Sequence, residues 1–279
     1  MKHQESTFTG LDNTSLFSQS WLPDVQPRAI VVLVHGVGEH SGRYMNFVSP
    51  AISNQFGVYS YDHRGHGNSE GQRGHIKAWS DYRNDLHTFV SMVKKTHPDC
   101  PIFLMGHSMG ALVTLDYIVS EAQSFAGLIL SGTPIEPKSA VSPFLVFLAK
   151  ALSNIYPRFS LKLGLDAQVI SRDPAVVKAY LADPLVHQQA SARWGTEILK
   201  TVELIKSKAS NIHLPVLFVH GEDDQLNGVE GVKQFFNQVP ANDKQLLTFE
   251  HVRHEPINDT EHKKITGPVI QWLSERCYD

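Results

Sequence analysis

The stretch Ile102–Leu115, IFLMGHSMGALVTL, decides the fold class of this chain of 279 residues. Its first four residues are apolar and suit a short buried strand, and the residues after Gly110 are apolar nearly all round, as in a buried helix. Between them Gly106-His107-Ser108-Met109-Gly110 matches the Gly-x-Ser-x-Gly pattern. In that pattern the serine stands on a sharp strand-to-helix turn, and its flanking glycines avoid a collision across the turn. The stretch therefore predicts a strand–turn–helix unit with Ser108 as a nucleophile.

A second copy of the pattern, Gly67-Asn68-Ser69-Glu70-Gly71, has a different context. It follows the polar loop Asp62–His66, and no helical pattern comes directly after it. We interpret Ser69 as a serine of a surface loop, because a nucleophile elbow needs a strand before it and a helix behind it.

Short apolar runs alternate with longer helical patterns over most of the chain. The predicted strands are Ala29–His35, Gly57–Asp62, Ile102–Met105, Phe125–Leu130, Val216–His220 and Gln245–Phe249, and the predicted helices are Tyr44–Ser53, Leu86–Lys95, Ala111–Val119 and Gly267–Arg276. This alternation favours an α/β fold with an open, mostly parallel sheet that helices cover on both faces.

The alternation stops between about Pro134 and Asn211, where prolines and two helical patterns occur without a clear strand. We therefore predict a core of residues 1–133 and 212–279 and an inserted helical cap at residues 134–211. Within the cap, Pro143–Leu152 (PFLVFLAKAL) is the most apolar stretch of the chain and is too short to span a bilayer.

Composition and charge exclude several classes of protein. With 25 basic and 28 acidic residues the net charge is −3, which gives no general attraction to nucleic acid. The two cysteines, Cys100 and Cys277, are too few for a disulfide framework or a four-thiolate zinc site. Residues 1–17 lack a secretory signal and no window is apolar enough to cross a membrane, so we expect a cytoplasmic protein. Pro256 breaks the HExxH zinc pattern and no glycine-rich nucleotide loop is complete, so we expect no metal and no cofactor.

A serine at its ordinary pKa is a poor nucleophile, so it needs a base, and the base needs an orienting carboxylate. In this architecture the order along the chain is Ser, acid, His. The acid is Asp223 or Asp224, just past the predicted strand Val216–His220, and the residue pattern alone does not decide between them. The histidines that follow are His251, His254 and His262; His254 lies in a polar loop, whereas His262 lies in a charged run typical of a solvated helix face.

Two backbone N–H groups are candidates for an oxyanion hole. Met109 begins the predicted helix after Ser108, where the helix dipole favours negative charge. Val37, between the small residues Gly36 and Gly38, is the candidate from the loop after the first predicted strand. The alternative for Val37 is an ordinary glycine-rich turn.

Six motifs stand in the order found in one enzyme family: HGVGEHSGRY (35–44), DHRGHGNSEG (62–71), GHSMGA (106–111), DPLV (183–186), GEDDQLN (221–227) and HEPIND (254–259). The chain resembles the monoacylglycerol lipases, which are grouped with the lysophospholipase-type serine hydrolases of the α/β-hydrolase fold. The resemblance runs from about Ala29 to the end and is looser in the insertion. One departure is Ala111, where many relatives have Gly.

The resemblance implies a role for each matching residue. Ser108 is the nucleophile, Asp224 the acid and His254 the base, with Val37 and Met109 as oxyanion donors. Glu39 and Arg43 match positions at the polar end of the family's pocket and would meet a glycerol head group; the alternative is a structural ion pair.

The implied reaction is hydrolysis of monoacylglycerols to fatty acid and glycerol. The cap segment Phe144–Leu152 would form an apolar acyl tunnel and touch the membrane peripherally, unless it simply packs on the core. Lysophospholipase, a broader carboxylesterase or thioesterase, acyltransferase and non-catalytic binding protein are the alternatives. Oligomeric state does not follow from the sequence.

Overall fold

A computed structural model describes residues 1–121, 124–136 and 152–277. Its strands are β1 Lys2–Thr9, β2 Ser15–Leu22, β3 Ala29–Val34, β4 Phe56–Tyr61, β5 Ile102–His107, β6 Gly127–Ser131, β7 Ser160–Lys162, β8 Gln189–Ser191, β9 Val216–Gly221 and β10 Lys244–Phe249. Its helices include α1 Met45–Ser53, α2 Ser80–Thr96, α3 Met109–Ser120, α4 Pro174–Ala182, α5 Ala192–Ser207, α6 Val229–Gln238 and α7 His262–Glu275.

The central sheet has eight strands in the order β1-β2-β4-β3-β5-β6-β9-β10. The six strands from β4 to β10 in this order pair in parallel, whereas β1 and β2 form an antiparallel hairpin that pairs antiparallel with β4. The α/β class and the α/β-hydrolase architecture are confirmed. The carboxyl ends of β5 and β9 lie on one edge of the sheet, where ligand sites of such folds form.

Two apolar layers hold the sheet, one on each face. Every residue of β3 is buried, and its side chains alternate between the layers because successive residues of a strand point to opposite faces. Ile30, Val32 and Val34 join the layer that α2, α3 and α6 cover. Ala29, Val31 and Leu33 join the layer that α1 and α7 cover. Helices thus cover both faces, as the alternation of segments predicts.

All six predicted strands are present, each within a few residues of its predicted ends. The hairpin β1–β2 and helix α6 have no counterpart in the prediction. The expectation of no strand between residues 134 and 211 is wrong, because β7 and β8 pair there, Ser160 opposite Ser191. At three residues each they are too short for a periodic pattern, and most of their residues are polar.

The described part of the insertion does not stand apart from the core. Helix α5 packs against α3 and places Trp194, Val202 and Ile205 in the same apolar layer. The predicted tunnel segment Phe144–Leu152 lies, except for Leu152, outside the described residues. Among the helices of the described ranges, none combines the length and the apolar character that crossing a bilayer requires.

Candidate active site

Ser108 occupies a strained turn between β5 and α3. Its backbone has φ 51° and ψ −122°, a conformation that non-glycine residues rarely adopt. Such backbone strain is concentrated at functional sites. The Ser108 N–H donates to the Ser131 carbonyl at 2.8 Å, which ties the turn to the neighbouring strand β6. A Cβ at Gly110 would lie 2.0 Å from the Val34 carbonyl oxygen of β3, so this position has room only for glycine. The strand–turn–helix geometry of a nucleophile elbow is present.

Two hydrogen bonds connect Ser108 to a histidine and a carboxylate. The Ser108 hydroxyl lies 2.9 Å from Nε2 of His254, and Nδ1 of His254 lies 2.8 Å from Oδ2 of Asp224. His254 comes from the loop after β10, and Asp224 from the turn after β9. The N–H groups of Leu226 and Asn227 donate to Oδ1 of Asp224, which leaves Oδ2 aimed at the imidazole.

The structure separates these residues from the alternatives that the sequence left open. The Asp223 side chain is 58% exposed and lies 3.6 Å from His251, which is 77% exposed. His262 begins α7 beside the exposed residues Lys263 and Lys264. Among the candidate residues named from the sequence, Ser108, His254 and Asp224 are the three joined by hydrogen bonds.

Two histidines beside Ser108 have opposite electrostatic environments. Burial alone would lower the pKa of His254, but the attraction and hydrogen bond of the Asp224 carboxylate outweigh it, and the pKa is raised above 6.5. The centre of the His107 ring lies 5.0 Å from that of the His254 ring, and the two ring planes are tilted by 50°. Burial and the neighbouring His254 lower the pKa of His107 to about 4. His107 therefore stays neutral, while His254 is suited to exchange a proton near neutral pH.

The loop after β3 approaches the serine closely. A Cβ at Gly36 would lie 3.2 Å from Cβ of Ser108, and Val37 lines the same cavity as Ser108. The Gly36 N–H already donates a hydrogen bond to Oε1 of Glu39, at 2.6 Å. Within the described ranges, the N–H groups of Val37 and Met109 donate to no protein acceptor. Both are therefore available to an oxygen atom bound at Ser108.

The insertion sits directly on this loop. The His187 N–H donates to the Gly38 carbonyl at 2.8 Å. Gly38 has φ +72°, and a Cβ there would lie 2.2 Å from the His187 carbonyl oxygen. The cap segment that ends in β8 and the loop that carries Val37 thus fit together backbone to backbone.

The interpretation of Ser69 as a surface serine is wrong. Its side chain is buried, its hydroxyl donates to the Asp62 carbonyl at 2.5 Å, and it accepts the Phe17 N–H at 2.8 Å. Phe17 belongs to β2, a strand that the sequence pattern did not reveal. The contact of this strand with Ser69 could therefore not be predicted. Ser69 is a structural residue that joins β2 to the loop after β4.

Glu39 and Arg43 line the cavity beside Ser108, but both are engaged in ion pairs. Arg43 contacts Glu39 at 2.7 Å and Glu255 at 2.8 Å, and its guanidinium lies 4.8 Å from the centre of the Tyr180 ring. Burial opposes ionisation of Glu39, but Arg43 outweighs it and lowers the pKa of Glu39 to about 2. Sequence reasoning missed Glu255, Tyr180 and His107 as lining residues; for Glu255, its position directly after His254 was the one available signal.

The cavity beside Ser108 has a volume of about 40 Å³. Its lining combines the charged groups above with Leu165, Ile170, Tyr180 and Leu226. A larger groove of about 660 Å³ lies between α1 and α7 and includes none of Ser108, His254 and Asp224. Across residues 1–121, 124–136 and 152–277, no group of three His, Cys, Asp or Glu side chains is placed to hold a metal ion.

Comparisons with known proteins agree with this geometry. The family model described as serine aminopeptidase, S33, matches residues 25–261. The monoacylglycerol lipase of Mycolicibacterium smegmatis is 34% identical, with 96% of each chain covered. The monoglyceride lipase of Rattus norvegicus is 32% identical, covering 95% of this chain and 88% of the rat protein. The crystal structure of Paleococcus ferrophilus monoacylglycerol lipase superimposes with a TM-score of 0.83 at 31% identity, over 99% of this chain and all of that one.

The fold, the elbow and these relatives lead to the same assignment. The chain belongs to the serine aminopeptidase S33 family of α/β-hydrolase-fold serine hydrolases, the family of the monoacylglycerol lipases, and is a carboxylic ester hydrolase.

Proposed function

We propose that this protein hydrolyses monoacylglycerols to fatty acid and glycerol through an acyl-enzyme on Ser108. The observation that carries the proposal is the hydrogen-bonded chain Ser108–His254–Asp224, which opens onto a cavity with a charged inner end. The relatives named above support a glycerol ester as the substrate.

The mechanism follows from the positions of these groups. Ser108 attacks the ester carbonyl while Nε2 of His254 takes its proton, and Asp224 holds the imidazole in the tautomer that exposes Nε2. The N–H groups of Val37 and Met109 stabilise the tetrahedral oxyanion, at about 3 kcal/mol per donor. His254 then protonates the leaving glycerol oxygen. Finally, His254 activates a water molecule that cleaves the acyl-enzyme and releases the fatty acid.

The resemblance implies Glu39 and Arg43 as contacts for the glycerol hydroxyls at the polar end of the cavity. A structural role as an ion pair is the competing assignment, and their close contacts with each other favour it. Kinetics on monooleoylglycerol and on p-nitrophenyl butyrate, which has no glycerol group, distinguish the two.

Substrate binding requires the cap to move. A space of about 40 Å³ holds no more than a few water molecules, whereas a monoacylglycerol carries a long acyl chain. Leu165, Ile170 and Tyr180 lie in the predicted cap at 134–211 and line the cavity beside Ser108. We expect these side chains to separate from the core when the ester enters.

Peripheral membrane contact is the second part of the proposal. The described part of the predicted cap resumes at residue 152 and soon presents three exposed apolar side chains. Ile155 is 80% exposed, Tyr156 65% and Leu161 62%. Exposed apolar side chains of this size gain free energy when they enter the interface of a bilayer. Ile155→Asp and Leu161→Asp should weaken cosedimentation with phosphatidylcholine vesicles, whereas Leu204→Asp, at an exposed leucine of α5, should not. Equal binding by all three variants and the wild type would contradict the membrane contact.

The decisive test of the reaction measures fatty-acid release from monooleoylglycerol and from lysophosphatidylcholine in parallel. Ser108→Ala should abolish release, and Ser69→Ala, the serine of the second Gly-x-Ser-x-Gly pattern, should retain it. A preference for the glyceride supports the proposal. A preference for the phospholipid would make the enzyme a lysophospholipase with the same catalytic residues, and activity in Ser108→Ala would refute the nucleophile.

A further inference from the structure

The loop that carries Val37 and the loop that carries His254 are far apart in the chain, yet an ion-pair bridge joins them. The bridge is defined here as Glu39, Arg43 and Glu255. We propose that this bridge fixes the oxyanion loop relative to the catalytic base, with Glu255 as a positioning residue for ester hydrolysis. The inference rests on the proposed roles of Val37 and His254.

One end of the bridge holds the peptide that precedes Val37. Oε1 of Glu39 accepts the Gly36 N–H at 2.6 Å and the Tyr44 hydroxyl at 2.5 Å. Oε2 of Glu39 accepts Nη1 of Arg43 at 2.7 Å. Glu39 thus holds the N–H of Gly36, and Nδ1 of His35 lies 2.7 Å from the Gly36 carbonyl, which shares its peptide with the Val37 N–H. The carboxylate of Glu39 therefore restrains the residue directly before Val37.

The other end holds the residue that follows His254. Nη1 and Nη2 of Arg43 donate to the two carboxylate oxygens of Glu255 at 2.8 and 2.9 Å. This parallel pair of bonds restrains both distance and orientation, which a single bond does not. The Glu255 N–H donates to the Ile170 carbonyl at 2.8 Å, and the Asn258 amide donates to Oε2 at 2.9 Å. Glu255 is therefore held on its backbone and on its side chain.

The bridge also acts on the base through its charge. Two carboxylates and one guanidinium leave one net negative charge, and all three groups are at most 9% exposed. The charged and titratable groups that face His254 are Asp224 from the turn after β9, Glu255 from its own loop, Glu39 and Arg43 from the segment after β3, and His107 from β5. Both carboxylates of the bridge favour the imidazolium that forms when Ser108 attacks.

The bridge leaves little free hydrogen-bonding capacity for a substrate. Each carboxylate oxygen of Glu39 and of Glu255 already accepts at least one hydrogen bond from protein. Oε1 of Glu39 and Oε2 of Glu255 each accept two, so a glycerol hydroxyl could add a bond only at Oε2 of Glu39 or Oε1 of Glu255. A positioning role uses the contacts as they stand.

The test compares Glu255→Gln and Arg43→Lys with the wild type on two esters, monooleoylglycerol and p-nitrophenyl butyrate, which has no glycerol group. We expect kcat to fall between about 10- and 100-fold on both esters, the range for a misplaced catalytic group, with KM nearly unchanged. The acid limb of the kcat/KM profile should move to lower pH in Glu255→Gln, because one negative charge beside His254 is removed. Arg43→Lys keeps the positive charge but lacks the planar fork, so it should show the loss in kcat as well.

Asp85→Asn is the matched control, because Asp85 is a buried carboxylate in a bidentate pair with Arg64 and does not line the cavity. It should lower the unfolding temperature and leave kcat and the pH profile of the folded enzyme unchanged. In the double variant Arg43→Lys/Glu255→Gln the loss should not exceed the larger single loss by much, since both changes break one bridge.

Three results would overturn the inference. They are an unchanged kcat in both single variants, an acid limb that does not move in Glu255→Gln, and a loss confined to KM for monooleoylglycerol, which would make the bridge a head-group contact. A wild-type enzyme that cleaves p-nitrophenyl butyrate but not monooleoylglycerol would refute the proposed substrate and still allow the bridge to be tested on the aryl ester.

Discussion

Replacing Gly110 by alanine tests how tightly the elbow is packed against β3. Gly110 is the second residue of α3, where alanine would ordinarily stabilise a helix by about 1 kcal/mol relative to glycine. Here the added Cβ would lie 2.0 Å from the Val34 carbonyl oxygen and 2.5 Å from that of His35. Real Cβ atoms essentially never approach other atoms closer than 3.0 Å. The end of β3 or the start of α3 must therefore move by about 1 Å.

The expected magnitude follows from what has to move. Both clashing atoms belong to backbone, so no side-chain rotation relieves the contact. Overpacking of this kind costs about 3 kcal/mol, which for a chain of this size lowers the unfolding temperature by roughly 6 °C or more. The same shift displaces Gly36 and Val37, which follow Val34 and His35 directly. Loss of one oxyanion donor lowers kcat by about 100- to 1,000-fold.

The assay measures thermal unfolding and ester hydrolysis of Gly110→Ala, with Gly195→Ala as the matched control. Gly195 lies in α5 and has no atom within 4 Å of an added Cβ. Gly195→Ala should therefore stabilise the protein by about 0.5–1 kcal/mol and keep full activity. A Gly110→Ala enzyme that is as stable and as active as the wild type would refute the steric reasoning.

Three further predictions concern single side chains. Asp224 raises the pKa of His254 above 6.5, and only the neutral imidazole accepts a proton. In steady-state pH profiles kcat/KM should therefore fall as the pH decreases, with a midpoint above 6.5. Asp224→Asn should lower kcat by about 10⁴-fold and move that midpoint to lower pH. Ser69→Ala should cost about 1–3 kcal/mol in urea unfolding, because it leaves the buried Phe17 N–H without its acceptor, while kcat of the folded enzyme stays unchanged; a loss of kcat would give Ser69 a catalytic role. Burial raises the pKa of Cys277 to about 11 and also raises that of Cys100, so iodoacetamide at pH 8 should label both slowly in native protein and rapidly in urea, as followed by mass spectrometry; rapid native labelling would contradict the burial of these thiols.

The sequence predicts most of the parallel part of the sheet because β3, β5, β6 and β9 are buried throughout and contain apolar runs. The hairpin β1–β2 has no such run. Almost every residue of β1 is exposed, and its polar side chains resemble those of a loop. Helix α6 was missed although Val229, Val232 and Phe235 recur at helical spacing, because at ten residues the pattern spans fewer than three turns. An apolar run makes a strand predictable from the sequence. β1 is exposed and β2 buries the polar residues Ser18, Gln19 and Ser20, so neither strand has such a run.

The residues of the candidate site also differ in how well the sequence predicts them. The Ser108 turn and the loops of Asp224 and His254 carry motifs, because each needs particular residues at short spacing. The bridge does not, since Arg43 and Glu255 are 212 residues apart and their pairing exists only in the folded chain. Ser69 shows the converse error, because the polar residues that precede it suggested a solvent-exposed position for a buried hydroxyl.

The contact between His187 and Gly38 has a consequence for how such enzymes diversify. The His187 N–H of the predicted cap donates to the carbonyl of Gly38, the residue after Val37. The part of the molecule proposed to admit the substrate and the loop proposed to stabilise the reacting oxygen therefore share one hydrogen bond. An exchange of the whole insertion between two relatives would transfer acyl preference and at the same time alter the position of Val37. We therefore expect selectivity and turnover to change together, and a chimaeric enzyme to need residues 183–191 matched to its own glycine loop before it regains the rate of either parent.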